Sequence, residues 1–171
     1  MRRSVICCAA LNLVFMGCVH KPRPTMGMEN APEWVVHGGG WAAEVSGKRA
    51  FYGVGTASDI HGRSMLMESA DAKARVEISK IFSVFVRGIY SERQSLAGTQ
   101  AERNIYAGTE AVLSGVLIKD HWTNPETGEL YSLAVLDLDW VVDNIGKSSL
   151  SETFKDSVRQ AAVTEFGHIS K

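Results

Sequence analysis

The clearest periodic pattern in the chain lies between about residues 62 and 81. Apolar residues recur there every three or four positions, as on one face of an α-helix. They are Leu66, Ala70, Ala74, Ile78 and Ile81. The pattern predicts an amphipathic helix whose small alanines allow it to pack closely on a sheet. Three carboxylates, those of Glu68, Asp71 and Glu77, are expected on its solvated face beside Lys73 and Arg75.

Four stretches rich in β-branched and aromatic residues predict strands. They cover residues 50–57, 82–90, 115–123 and 130–138. Turn-forming residues join the last two stretches, which predicts an antiparallel hairpin. The long apolar run of residues 130–138 predicts a central strand covered on both faces. In the first stretch, Gly53 and Gly55 predict that another part of the chain, such as the following helix, packs closely over the strand.

The other stretches are shorter or less regular. The glycines of residues 37–40 predict a turn, residues 99–113 predict a weak helix, and residues 140–166 predict two helices separated near residues 146–149. Ser151 is placed to cap the second of these two helices. Together the elements predict an α+β fold: a small antiparallel sheet of about four strands, packed by a central Ala-rich helix and a C-terminal helix.

The N-terminal stretch has the order of charged and apolar residues found in a bacterial lipoprotein signal. Arg2 and Arg3 give it a positive start, residues 5–16 are apolar except for one asparagine, and Gly17 precedes Cys18. A thiol in that position is a candidate for acylation. We therefore expect a signal peptide over residues 1–17, a lipidated tether over 18–32 and a single domain over 33–171.

Two other targeting interpretations fit the N-terminus less well. A membrane-spanning helix needs about 20 apolar residues, and this run is shorter. An ordinary secretory signal ends in small residues, whereas bulky Phe15 lies three positions before the expected cut. Val19 follows the cysteine in place of the aspartate that, in enteric bacteria, commonly retains lipoproteins in the inner membrane. The sequence therefore predicts a lipid-anchored protein of the bacterial outer membrane.

Charge and cysteine content exclude several function classes. Removal of Arg2 and Arg3 with the signal leaves 16 basic against 19 acidic residues, a net charge of about −3. A nucleic-acid partner is not expected, because such binders are usually basic on one face. Cys7 and Cys8 would leave with the signal and Cys18 would carry lipid. Thiol catalysis and cysteine-based zinc sites are therefore not expected in the mature chain.

The order of several motifs resembles the LPP20 family of bacterial lipoproteins. The motifs are Pro32-Glu33-Trp34, Phe51-Tyr52-Gly53-Val54-Gly55-Thr56-Ala57, Ala70-Asp71-Ala72-Lys73-Ala74-Arg75, Leu113-Ser114-Gly115-Val116 and Tyr131-Ser132-Leu133-Ala134-Val135-Leu136-Asp137. The likeness covers roughly residues 32–140. It implies a dodecin-like βαββ core and no enzymatic activity. It also implies an outer-membrane lipoprotein linked to flagella or to surface antigens.

Two binding functions and one enzymatic function follow as hypotheses. The first is a non-enzymatic lipoprotein whose domain assembles with itself or with envelope proteins. The second is a peptidoglycan or glycan binder, with Trp34, Trp41, Trp122 and Tyr131 as stacking residues, although aromatic side chains more often fill a core. The third, an enzyme, has little support, since the five histidines form no metal-ligand pair and no nucleophile motif is present. We therefore expect no catalytic residue, no metal and no cofactor.

Overall fold

The computed structural model describes residues 27–92, 107–164 and 166. The predicted signal peptide, Cys18 and most of the predicted tether lie outside these residues. So does the first half of the helix predicted for residues 99–113. Within the described ranges, no helix combines the length and the apolar character needed to cross a membrane.

The described chain forms four strands and five helical segments. The strands are β1 (Gly40–Val45), β2 (Lys48–Ala57), β3 (Leu117–Thr123) and β4 (Leu130–Asp137). The helices are α1 (Glu33–His37), α2 (Arg63–Glu92), α3 (residues 107–113), α4 (Leu138–Lys147) and α5 (Glu152–Thr164). The strands form one antiparallel sheet in the order β1-β2-β4-β3. The predicted α+β class is therefore confirmed, as are the β3–β4 hairpin and the central place of β4.

Like the short helix α1, strand β1 was not predicted from the sequence patterns. It pairs with β2 through a two-residue turn, Ser46–Gly47, in which both residues have positive φ angles of 53° and 75°. Turns of this kind match the right-handed twist of the strands they join, and glycine favours them. The core order is therefore ββαββ, with one strand more before the long helix than the expected βαββ order.

The strand predicted for residues 82–90 is wrong, because α2 continues as one helix from Arg63 to Glu92. In a strand, Phe82, Val84 and Val86 would share a face. In the helix, Phe82 and Val86 are buried whereas Val84 is 62% exposed, and Phe85 is buried with the first two. No proline or glycine separates the two halves of α2 near residue 82, so nothing ends the helix there.

The side of the sheet that faces α2 is here called the packed face. Alternation along the strands places Phe51, Gly53 and Gly55 of β2 on this face, with their β4 partners Leu136, Ala134 and Ser132. A Cβ atom on Gly53 would lie 2.5 Å from the carbonyl oxygen of Ala74, and one on Gly55 would overlap the backbone of Ala70 and Ala74. The prediction that the following helix packs closely over these glycines is confirmed.

The C-terminal helices complete the core on the packed face. Phe51 meets Phe82, Phe85 and Phe166 edge to face or nearly so, with ring centroids 5.3 to 5.9 Å apart. Buried residues of α4 and α5 join this cluster, among them Val141, Ile145, Phe154 and Val158. The predicted cap is confirmed, since the Ser151 hydroxyl accepts a hydrogen bond from the Phe154 amide at 3.3 Å.

The other side of the sheet, here called the open face, has much less cover among the described residues. The five-residue α1 lies against it, with Val35 buried and Val54 and Leu133 buried beneath. The segment that leads into α1 starts beside the β3–β4 turn, where Gly27 lies against Asn124. A single helical turn covers only part of a four-stranded sheet, so side chains at its margins remain accessible.

A candidate binding surface on the open face

The open face carries aromatic residues on all four strands and on α1. Register places Trp41 of β1 opposite Tyr52 of β2, and Tyr131 of β4 opposite Trp122 of β3. All four are only partly buried, as is Trp34 of α1. Alternation along each strand directs these side chains away from α2. The predicted stacking residues therefore lie on one side of the molecule, although not in one cluster.

The first cluster lies between α1 and strands β1 and β2. The His37 ring stacks on Trp41 with centroids 4.2 Å apart and planes 27° apart. Tyr52 stacks on Trp41 at 5.2 Å with planes 12° apart. Such nearly parallel, offset rings stabilise one another by roughly 0.5–1.5 kcal/mol per pair. The three rings form a continuous aromatic wall at the end of α1.

A groove of about 510 Å³ follows this wall across the sheet. It is lined by Glu33, Trp34, His37, Trp41, Ala43, Val45, Tyr52, Lys119 and Leu133. Most of the lining is aromatic or aliphatic, with the Glu33 carboxylate and the Lys119 ammonium as its charged groups. Small-molecule sites commonly combine an apolar lining with a few polar groups in this way.

The second cluster is the pair formed by Trp122 and Tyr131. Their ring centroids are 5.5 Å apart with planes 57° apart, and the Tyr131 hydroxyl donates a 2.7 Å hydrogen bond to the Glu129 carboxylate. Burial, this hydrogen bond and the negative charge of Glu129 raise the pKa of Tyr131 to about 12. Tyr131 pairs with Thr56, four residues along β2 from Tyr52, so this pair lies roughly 13 Å from the aromatic wall.

The four predicted stacking residues therefore do not form a single site. Trp34 and Trp41 line one groove, whereas Trp122 and Tyr131 form a separate pair at the other end of the sheet. His37 and Tyr52 were not predicted as site residues. The sequence did contain a signal that could have identified Tyr52. It lies between Phe51 and Gly53, which belong to the packed face, so strand alternation places Tyr52 on the opposite side of the sheet.

A polar cluster joins α2 to the packed face. The Asp71 carboxylate oxygen Oδ1 accepts a 2.6 Å hydrogen bond from the Ser132 hydroxyl and lies 2.7 Å from His121 Nε2. The expectation that Asp71 lies on a solvated face is therefore wrong. Ser132 is fully buried, and its hydroxyl is bound to the carboxylate and not to the imidazole, so the three residues do not form a nucleophile with its base. Their geometry serves to hold β3 and β4 to the helix.

The parts of the chain that the structure describes contain no group of three or more histidine, cysteine, aspartate or glutamate residues arranged to hold a metal ion. Neither a scan of the chain against models of known protein families nor a comparison with curated proteins gives a match. The resemblance to the LPP20 family stays a prediction that rests on the order of the sequence motifs.

Proposed function

We propose that this chain is a non-enzymatic lipoprotein of the bacterial outer membrane whose domain binds other envelope proteins or copies of itself. The observation that carries the binding role is the asymmetry of the sheet. Helices α2, α4 and α5 fill the packed face, whereas the described cover of the open face is α1 and the segment before it. A partly covered apolar surface rimmed by charged residues is typical of an interaction site.

The membrane location in this proposal rests on Cys18. Its position after Gly17 and a short apolar run supports cleavage and acylation there. Each buried CH₂ group of an acyl chain contributes about 0.8 kcal/mol, and stable anchoring takes more than one chain. Bacterial lipoproteins carry several, so a lipid on Cys18 would keep the domain at the membrane without a spanning helix.

Metabolic labelling tests the anchor. Cells that express the full chain are grown with a palmitate analogue, and the labelled protein is compared with a Cys18→Ser variant. We expect label and outer-membrane fractionation for the native chain, and loss of both for the variant. Cys7→Ser is the matched control, because Cys7 lies in the predicted signal and its loss should leave the label unchanged. Equal labelling of the native and Cys18→Ser chains would overturn the anchor.

Site-specific photocrosslinking tests the binding role in the same cells. Val36 on α1 is 67% exposed at the margin of the open face, and Val163 on α5 is 79% exposed on the opposite side. A photoreactive residue at position 36 should capture an envelope protein or a second copy, whereas one at position 163 should capture much less. Equal yields at both positions, or none at position 36, would contradict a partner on the open face.

A second candidate function is recognition of peptidoglycan or another glycan. The groove beside Trp34, Trp41 and Tyr52 favours it, because the C–H faces of a sugar ring pack well against aromatic rings. The Glu33 carboxylate can accept hydrogen bonds from sugar hydroxyls, and the Lys119 ammonium can pair with a carboxylate on the glycan. Trp122 and Tyr131 do not line this groove.

Sedimentation with insoluble peptidoglycan tests this second candidate. The native chain should sediment with the polymer, and Trp41→Ala should remain in the supernatant because it removes the centre of the aromatic wall. Trp122→Ala is the matched control and should still sediment. Circular dichroism would establish that both variants are folded. If the native chain stayed in the supernatant, the result would contradict the hypothesis that the chain binds peptidoglycan.

A further inference from the structure

The two outer strands of the sheet present very different edges. Edge strand β3 is interrupted by a register shift between Ile118 and Asp120, and two charged residues, Lys119 and Asp120, occupy the irregularity. Bulges and charges are devices by which proteins prevent an edge from pairing with another strand. Edge strand β1 has no bulge or proline, and its six residues pair with β2 in continuous register.

The hydrogen bonding of β1 shows which of its groups are free for another strand. The Gly39 carbonyl accepts a 2.7 Å hydrogen bond from the Val54 amide, and the pairing of Gly40 with Gly53, extended by one position, places these two residues opposite each other. In an antiparallel pair the hydrogen-bonded residues alternate, so Trp41, Ala43 and Val45 bond to β2. The peptide groups of Gly40, Ala42 and Glu44 then point outward, and no described residue is hydrogen-bonded to them.

We propose that β1 pairs antiparallel with β1 of a second copy of this chain, around a two-fold axis at Ala43. The inference deepens the self-assembly that forms part of the proposed function, and it rests on that function. In this register Ala42 lies opposite Glu44 of the second copy. Each such pair exchanges two backbone hydrogen bonds, and the two pairs together give four. The two sheets become one sheet of eight strands.

The side chains of β1 fit a second copy of the same strand. Trp41 comes opposite Val45 of the second copy on the open face, and this contact covers Val45, which is 56% exposed in the single chain. Small Ala43 meets itself at the axis. Glu44 faces Ala42 on the other side of the sheet, so no like charges lie directly opposite each other. An edge of this composition can pair with itself without electrostatic repulsion.

The pairing also continues a surface that the chain already has. Trp41, Ala43 and Val45 line the open-face groove. A two-fold axis at Ala43 places the grooves of the two copies end to end, on the same side of the joined sheet. The symmetrical contact is closed, because each β1 edge is used once and the remaining outer strands are the blocked β3 edges. The expected assembly is therefore a dimer and not a filament.

Cysteine crosslinking in cells tests this arrangement. Single Ala43→Cys, Val45→Cys and Leu117→Cys variants of the full chain are oxidised in intact cells and separated by electrophoresis without reductant. The native chain is treated in the same way to measure any crosslinking through its own cysteines. The cysteines at position 43 of the two copies would face each other across the axis as a pair without backbone hydrogen bonds. Such pairs are the more closely spaced kind in an antiparallel sheet, and their separation allows a disulfide. We expect Ala43→Cys to shift to twice the monomer mass, and Val45→Cys and Leu117→Cys to stay monomeric.

The other outcomes of this experiment overturn the proposal. Equal dimer yields at positions 43 and 117 would mean random collision, and no dimer at position 43 would mean that the edge is not paired in this register. A shift at position 43 to a mass other than twice that of the chain would identify a different partner. In that last case the proposed binding role stands while the self-pairing fails.

A proline variant gives a second, backbone-level test. Glu44→Pro removes an outward N–H group and leaves the bonds to β2 intact, and proline is tolerated on edge strands. Glu44→Ala, which keeps that N–H group, is the matched control. For the full chain in detergent, sedimentation should give a loss of dimer for Glu44→Pro and an unchanged dimer for Glu44→Ala. A dimer that persists in folded Glu44→Pro would overturn the strand pairing.

Discussion

Phe51 and Tyr52 are neighbours in β2, yet they belong to two different kinds of surface. Phe51 is fully buried on the packed face among three other phenylalanine rings. Tyr52 lies on the open face, partly exposed, and stacks on Trp41 beside the groove. The residues of the hydrophobic core and those of the proposed binding surface therefore lie on opposite faces of one sheet. This arrangement means that changes at adjacent residues should have separable effects.

The largest expected difference is between alanine variants of these two residues. Phe51→Ala should lower the free energy of unfolding by about 3–5 kcal/mol, because it leaves a cavity in the centre of the core. Tyr52→Ala should cost about 1–2 kcal/mol, since it removes one ring contact and a partly buried surface. Urea unfolding followed by circular dichroism measures both values. Equal losses would mean that the open face is also part of the core.

A glycine of the packed face gives the next test. Gly55→Ala should destabilise the chain by about 3 kcal/mol, at the upper end of the range for overpacking, because the new methyl group would overlap backbone atoms of Ala70 and Ala74. Gly88→Ala is the matched control, since no described residue outside the helix has an atom within 4 Å of its Cβ position and alanine favours helix. It should stabilise α2 by about 0.5–1 kcal/mol. Effects of the same sign and size in a thermal scan would contradict the close contact between α2 and β2.

The packed face was the more predictable of the two surfaces. The spacing of Ala70, Ala74 and Ile78 identified the helix, and Gly53 and Gly55 indicated that another part of the chain packs closely over the strand. The C-terminal half of α2 was not predictable in the same way, because alternation of Phe82, Val84 and Val86 imitates a strand. In the folded chain α4 and α5 join the cluster that buries Phe82, Phe85 and Val86, so these residues are buried by tertiary contacts that lie far away in sequence.

The open face was less predictable because its parts meet only in the folded sheet. Strand β1 is short and lies at an edge, and its hydrophobic residues are interrupted by a glutamate, so its pattern is weak. The usable signal was Ser46–Gly47, a turn-forming pair between two apolar stretches. Trp122 and Tyr131 could be placed near each other through the predicted hairpin. The meeting of Trp34 with Trp41 depends on how α1 returns over the sheet, which no local pattern specifies.

Removal of the Asp71 carboxylate from the polar cluster should have an intermediate effect on the free energy of unfolding. Asp71→Ala leaves the fully buried Ser132 hydroxyl and the His121 imidazole without their shared acceptor, and should cost about 2 kcal/mol. Asp71→Asn keeps an accepting oxygen and should lose less. Glu68→Ala, an exposed carboxylate in the same helix, should change stability by less than about 0.5 kcal/mol. If Asp71→Ala and Glu68→Ala had equally small effects in chemical unfolding, the hydrogen bonds of Asp71 would not contribute to stability.

The smallest expected effect at neutral pH belongs to the ionisation of Tyr131 on the open face, which occurs only at high pH. Its pKa is raised to about 12 by burial and by the Glu129 carboxylate, so the folded state resists deprotonation more than the unfolded state, whose tyrosines titrate near pH 10. The stabilising contribution is therefore complete below about pH 10 and is lost as the pH rises toward 12. Absorbance of tyrosinate should show a late component that Tyr131→Phe removes and Glu129→Gln shifts to lower pH. Tyr52→Phe, the matched change at the aromatic wall, should leave the late component in place. If Tyr52→Phe removed it, the late titration would belong to Tyr52 and not to Tyr131.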